Sequence, residues 1–327
     1  MTFSLRKTIR RLVALALLWS CILTLSSAAA VGPPEVPAPK EAPAKEEAPT
    51  TCGPLISDSC LPIEKGKSSL QFLWAYGIVR ANATPNWRQV SAKGDFSTCF
   101  MPVKFTYGPA KNLEMYVIVP YIHNFAGNVS PDLAGPQGQR SADFGGVGDI
   151  TLVGKYLLLP ETESRPAVTG VLGTGFPGGH ASHLNPRFLG QDAIGTGAFT
   201  FTTGVNLHKW LKPFLVYSNI WFNAPVNIYH DRPDTVRSRE FMTFNVAAEY
   251  PITKKWVALL ECYSTWTWTN ISTPQGFQSP ATVMGVLPGI EYFISEKWAV
   301  STGAAFDLAG KATALKITPL FTLYRNF

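Results

Sequence analysis

Thr313-Ala314-Leu315-Lys316-Ile317-Thr318-Pro319-Leu320-Phe321-Thr322-Leu323-Tyr324-Arg325-Asn326-Phe327 closes the chain, and its reading decides the fold. Leu315, Ile317, Phe321, Leu323 and Phe327 fall on one face of an extended segment. Ala314, Lys316, Thr318, Thr322, Tyr324 and Asn326 fall on the other. Successive side chains of a strand point to opposite faces, so the pattern predicts a wall with one apolar and one mostly polar side. Such a wall suits a boundary between lipid and water.

Runs of the same character fill the chain from residue 68 onward. Twelve can be counted: 68–79, 94–107, 112–122, 149–159, 166–176, 194–207, 212–223, 240–250, 256–269, 281–294, 298–308 and 313–327. No 18-residue apolar stretch lies among them, which excludes an α-helical membrane protein. Connections after the even runs are short, at 108–111, 160–165, 208–211, 251–255 and 295–297. After the odd runs they are mostly long, at 80–93, 123–148, 177–193, 224–239 and 270–280, with 309–312 the exception. The expectation is an all-β fold: a transmembrane antiparallel up-and-down β-barrel of about 12 strands, with short periplasmic turns and long extracellular loops. The terminal aromatic resembles the C-terminal signature of bacterial outer-membrane barrels, which implies the barrel-assembly machinery as a partner of the last strand.

The front end agrees. Arg6, Lys7, Arg10 and Arg11 precede an apolar run, Leu12 to Leu25, and small residues end at Ala30, so residues 1–30 read as a cleaved signal peptide. Trp19 and the apolar residues beyond Cys21 argue against lipid attachment there. The formal charge of +6 falls to +2 without the leader's four cations, and the remaining Lys and Arg are scattered, so no nucleic acid is expected as partner. Residues 31–67 open on a Pro/Ala/Glu-rich tract without aromatics, read as a periplasmic tether in which Cys52 and Cys60 could close a small disulfide loop. Cys99 and Cys262 fall in phase with the apolar face of their strands.

Strand phase also assigns sides. The ionisable residues expected to line the lumen are Lys104, Glu114, Asp149, Lys155, Glu249, Glu261, Glu291, Asp307 and Lys316, because a charge on the lipid face costs several kcal/mol near the midplane. Their mixed signs favour cross-strand pairing over a solute path. Tyr107, Trp210, Tyr250, Trp256, Tyr292, Trp298 and Phe327 are expected in an aromatic girdle. Glu249-Tyr250-Pro251-Ile252-Thr253-Lys254-Lys255-Trp256 is echoed by Glu291-Tyr292-Phe293-Ile294-Ser295-Glu296-Lys297-Trp298, and in shortened form by Leu207-His208-Lys209-Trp210. The segment 123–148 is the longest loop and the candidate to plug or constrict the lumen.

Catalytic signals are thin. Gly173-Thr174-Gly175-Phe176-Pro177-Gly178 matches a dinucleotide fingerprint by letter but leads into a loop, not a helix. His180 and His183 share a loop without the carboxylates or cysteines that would complete a metal site, and they read as solvent-exposed. Neither catalytic residue nor cofactor nor metal is expected.

Phe144-Gly145-Gly146-Val147-Gly148-Asp149-Ile150-Thr151-Leu152-Val153-Gly154-Lys155-Tyr156 resembles an element of the outer-membrane family named for the meta-pathway of phenol degradation. The strand ending Phe176-Pro177-Gly178-Gly179 is similar to that family's Pro-Thr-Gly motif but lacks the Thr, and 190–197 follows the family's Gly-Thr-Gly stretch in part. The resemblance spans residues 68–327. It implies an outer-membrane transporter, surrounded by lipid, that passes small hydrophobic or aromatic solutes by diffusion. The alternatives are a structural or adhesive barrel with a plugged lumen, and a rim-located surface hydrolase. Gly148-Asp149 itself reads as an anchor of strand register.

Overall fold

A computed structural model describes residues 51–228, 234–273 and 276–327, with 271–273 and 276–277 described by backbone alone. The signal segment 1–30 and residues 31–50 of the tether lie outside the described residues. Twelve long strands follow one another: β1 (Ser68–Ala83), β2 (Asp95–Ala110), β3 (Leu113–Gly127), β4 (Ile150–Leu159), β5 (Ala167–Phe176), β6 (Ala198–Leu211), β7 (Phe214–Asn227), β8 (Phe241–Pro251), β9 (Trp256–Thr267), β10 (Thr282–Phe293), β11 (Trp298–Lys311) and β12 (Thr313–Asn326). Each pairs antiparallel with its chain neighbours, and β1 pairs with β12 from Ser69↔Asn326 to Ala83↔Thr313. The sheet is therefore closed, which leaves no edge to satisfy in a solvent without hydrogen-bonding partners.

The two faces of this wall are inverted relative to a soluble protein. Large apolar side chains such as Phe72, Trp74, Phe105, Leu152 and Phe201 are exposed on the outside, with Leu172 reaching 69%. Lys155, Glu249, Glu261 and Glu291 are fully buried within. A surface this apolar is stable only against lipid. In β12 one residue departs from the predicted alternation: Leu315 is fully buried, beside the register shift between Val79 and Ala81 of β1, where one extra residue re-aims its neighbours.

The echoed turns are one structure built twice. In the β8–β9 turn the Thr253 hydroxyl accepts from the backbone N–H of Lys255 and Trp256, both at 3.1 Å. In the β10–β11 turn Ser295 does the same for Lys297 and Trp298, at 3.3 and 3.2 Å. A hydroxyl two or three residues upstream thus satisfies donors that the end of the ladder leaves open. At the opposite end the connections are long, and Ala142–Val147 forms a further short strand against Tyr121–Ala126 of β3.

Residues 51–67, read from the sequence as the end of a tether, run through the barrel interior instead. They contact inward side chains of β2, β3, β4, β5, β6, β7, β9 and β10, and a segment touching eight strands of a closed barrel can only lie inside it. Leu55 is the reason the segment packs as well as pairs: it joins a buried apolar cluster with Ala75, Leu215, Tyr217, Ala247, Leu259 and Leu287. Full burial of one leucine contributes about 1.5–3 kcal/mol.

Candidate solute pathway and its plug

Lys104, Glu114, Lys155, Glu249, Glu261 and Glu291 sit in the half of the barrel next to the short turns, and residues 51–67, the plug, meet most of them. Lys155 on β4 reaches Glu114 Oε1 on β3 at 2.8 Å, Asp58 Oδ2 of the plug at 3.2 Å and the Ser59 carbonyl at 2.9 Å. Lys104 on β2 approaches Asp58 Oδ1 at 3.5 Å and lies 4.0 Å from the centre of the Tyr116 ring. Two cations and two carboxylates balance, which is what makes full burial of Lys155 tolerable. Asp58 also accepts from Asn206 Nδ2 at 2.9 Å. Burial alone would raise its pKa, but Lys155 and Lys104 hold the carboxyl below the usual carboxylate range.

Glu261 on β9 has no such cation and is satisfied by backbone. It accepts from the N–H of Leu55 at 2.6 Å, Ile56 at 3.0 Å and Ser57 at 2.7 Å. Three successive amides turned on one anion form a nest, here supplied by the plug to a carboxylate of the wall. Glu291 on β10 accepts from Cys52 N at 3.2 Å, and Glu249 on β8 accepts from the Tyr217 hydroxyl at 2.9 Å. Cys52 and Cys60, whose spacing allowed a bridge, are free thiols. The plug is extended across the lumen: Cys60 Sγ lies 3.3 Å from Thr169 Oγ1 on β5 and donates to the Asn206 carbonyl on β6, while Cys52 is held from β10. Between the plug and the wall at the short-turn end lies a cavity of about 1320 Å³, lined by Cys52, Gln71, Lys104, Glu114 and Tyr324 among others.

Above the plug the inner wall sets large apolar groups among polar ones such as Thr98, Asn124, Thr202 and Asn223. Phe100 shares the inward phase of Lys104, faces Ile122 across the β2–β3 ladder, and is 37% exposed to the lumen. Ile118 and Trp221 pack on buried Tyr116, Val153 and Val171. Gly204 lies beneath Trp221, where a Cβ would come within 2.4 Å of the indole, so only glycine lets that ring lie flat on β6.

Asp149, Asp307 and Lys316 stand apart from this cluster, at the long-loop end. Asp149 lies just before β4 and accepts from the N–H of Gly178, Gly179 and Thr196 and from the Thr196 hydroxyl. It anchors both ends of the 177–197 loop rather than lining the lumen. Gly179 and Gly195 meet backbone to backbone at that neck, where a Cβ on Gly179 would fall 2.7 Å from the Gly195 Cα. The loop folds inward: the Gln191 carbonyl accepts from Asn124 Nδ2 on the inner face of β3 at 3.0 Å, and Phe188 and His180 pack on Phe144. The segment 123–148, the candidate to plug or constrict the lumen, instead continues the wall through its two arms, which pair with each other over 121–126 and 142–147, and closes in a loop at 128–141 that meets Leu189 and Pro186 at Gly135. Asp307 accepts from the Tyr263 hydroxyl at 2.8 Å and from the backbone N–H of Lys316 at 2.7 Å, beside the register shift at Met284/Gly285.

The girdle residues separate in the same way. Tyr107, Tyr250, Trp256 and Phe327 are exposed on the outer wall. Tyr292 packs on Trp256 at 4.5 Å, and Trp298 lies under Arg325 at 4.9 Å. Trp210 is the correction: it packs against the interior apolar cluster, and its Nε1 is buried without a partner among the described residues. Trp256 and Trp298 open their strands after a turn, whereas Trp210 comes before the β6–β7 turn, where the phase is opposite. His180 Nδ1 lies 2.9 Å from the Asp192 carbonyl oxygen, and His183 is exposed near Asp234. No group of three metal-binding side chains occurs among the described residues.

A closed twelve-stranded sheet with a lipid-compatible outside and an interior plug defines the molecule as an outer-membrane β-barrel. The family described as "Putative MetA-pathway of phenol degradation" matches residues 95–317, and the chain belongs to it. No curated relative matches the chain. Among solved structures it is similar to the COG4313 outer membrane channel from Pseudomonas putida F1, with a TM-score of 0.67 at 13% identity, over 83% of this chain and 99% of that one. Weaker likenesses are to the translocator domain of the autotransporter NalP from Neisseria meningitidis, with a TM-score of 0.46 at 9% identity over 80% and 88% of the two chains. The Ralstonia pickettii toluene transporter TbuX gives 0.41 at 9% over 81% and 90%.

Proposed function

We propose that the protein is an outer-membrane channel through which small apolar or aromatic solutes diffuse, with no catalysis of its own. The observation that carries this is Phe100, a large aromatic that faces the lumen and remains exposed there beside Ile122. A barrel built only to be filled would bury such a ring, and a general porin has no use for a large aromatic facing its water. Family membership and likeness to an outer membrane channel support the reading. The wall charges act chiefly on the plug, so they set whether the path is open rather than what passes.

The test is permeation through purified protein in liposomes, comparing sugars, amino acids and small aromatics of matched size. Selective passage of the aromatics is expected, and Phe100→Asp should abolish that selectivity. Equal leakage of all three would sink the apolar-solute reading. The plug favours a second reading, a structural or adhesive barrel closed throughout its life. Permeation absent even from protein lacking the plug, with folding verified by heat-modifiable migration on a gel, would establish that alternative.

A further inference from the structure

The plug carries two free thiols, eight residues apart, in a chain displayed to an oxidising compartment. Their environments differ. Cys60 is fully buried between β5 and β6, while Cys52 borders the cavity at the short-turn end, within reach of a small periplasmic molecule. They are also held from strands four and five apart in the sheet: Cys52 by its backbone N–H to Glu291 on β10, Cys60 by its sulfur to Asn206 on β6 and to Thr169 on β5. A disulfide requires the two Cα atoms within about 7 Å, with Cβ atoms turned toward each other. Forming one must pull at least one thiol off its wall. Between them lie Leu55, Ile56 and Ser57, whose amides hold Glu261, and Asp58, which holds Lys155.

We propose that Cys52 and Cys60 form a redox latch: paired as a disulfide, they keep the plug out of the lumen, and reduced they allow it to seat. The proposal rests on the channel reading above only for its effect on flux. The oxidant is a small periplasmic disulfide, R–S–S–R. The Cys52 thiolate attacks one of its sulfurs, breaking the S–S bond, giving a Cys52 mixed disulfide and releasing one R–SH. The Cys60 thiolate then attacks the Cys52 sulfur, closing the Cys52–Cys60 bond and releasing the second R–SH. The two cysteines lose two electrons and two protons, and the oxidant leaves as two thiols. The seated state protects itself, because the thiolate is the attacking form and burial disfavours it. Burial pushes Cys60 up to about 11 and raises Cys52 also, with Glu291 and Glu249 adding to the effect on Cys52. Oxidation therefore waits for the plug to leave, and once formed the closed ring of residues 52–60 is too short to span from β10 to β5 again.

The experiment uses full-length protein in liposomes with Cys99→Ala and Cys262→Ala, which removes the two thiols of the strands. Oxidised glutathione is added and then dithiothreitol. Three quantities are followed: the mass of the peptide containing residues 52 and 60, protease cleavage within 51–67, and flux of a small neutral aromatic. Expected is an intramolecular disulfide, cleavage at least tenfold faster, and flux raised at least tenfold until reduction, with Cys52→Ser and Cys60→Ser unresponsive. Glu261→Ala, which loosens the seat, should pair its thiols at least tenfold sooner. A disulfide with cleavage but no flux in either state would uphold the latch and defeat the channel reading. A disulfide formed while the plug stays protected, or thiols that never pair even in Glu261→Ala, would overturn the latch.

Discussion

At the scale of single residues the plug is held by two unlike anchors, and they respond differently to change. Glu261→Ala removes the acceptor of three plug amides. Orphaning buried donors costs about 1–3 kcal/mol each. The segment can avoid that cost by leaving, so the expected loss of seating is about 3 kcal/mol, on the order of a hundredfold. Faster proteolysis within 51–57 with an unchanged unfolding temperature of the barrel would show it; unchanged protection would mean the amides find water in place. Asp58 gives a pH dependence of known sign. Its carboxyl is depressed by Lys155 and Lys104 against burial, so its contribution is complete above the free value of 3.8 and is lost as pH falls through the lower, seated value. Plug protection measured between pH 6 and pH 2 should collapse only in the acid limb, and Asp58→Asn should weaken protection already at neutral pH. The inward direction of Glu261, Glu291 and Lys155 could be read from phase alone, because period two is rigid along an unbroken ladder. Their partners could not. Nothing in residues 51–67 is periodic, and the one usable sign was an interior with more carboxylates than cations, next to a stretch where Leu55, Ile56, Leu61 and Ile63 replace the Pro/Ala/Glu tract.

At the scale of elements, strands were legible where local pattern and hydrogen-bonded ladder agree, and loops were not. The echo at 249–256 and 291–298 identified two turns correctly because the same hydroxyl geometry builds both. It misled at Trp210, since a shared Lys-Trp pair says nothing about which side of a turn the Trp occupies. Loop length likewise pointed to 123–148 as the candidate constriction, whereas the segment that turns inward is 177–197, pinned at its neck by a carboxylate placed just outside the β4 ladder. Asp149→Ala should therefore free that loop while leaving the barrel intact. Protease cleavage between 180 and 194 is expected to rise roughly tenfold, with heat-modifiable migration unchanged, since four hydrogen bonds to a charged acceptor, each worth about 1.5–3 kcal/mol, are lost at one neck. Loss of the folded gel band would instead make Asp149 part of the wall's own stability.

At the scale of the whole molecule, the closed sheet and the plug are separate stabilities. Every strand of the barrel is paired with both neighbours through its own backbone, and β1–β12 closure involves no plug residue. Deleting residues 51–63 leaves the Lys155–Glu114 pair in place at 2.8 Å and exposes Glu249, Glu261 and Glu291 to water entering the lumen, where carboxylates need no protein donor. The cost falls on the interior cluster around Leu55, which loses one leucine, not on the ladder. The deletion should thus fold, keep its strand content by circular dichroism, and unfold only slightly earlier. The inner wall around Phe100 and Ile122 is untouched by the deletion, so small aromatics should pass at least tenfold faster than through the intact chain and stay ahead of sugars. Intact protein that retains aromatic selectivity while the deletion loses it would assign the plug a part in selection as well as closure. Equal but measurable, selective flux through both would place the barrier above the plug, at the inward loop held by Asp149.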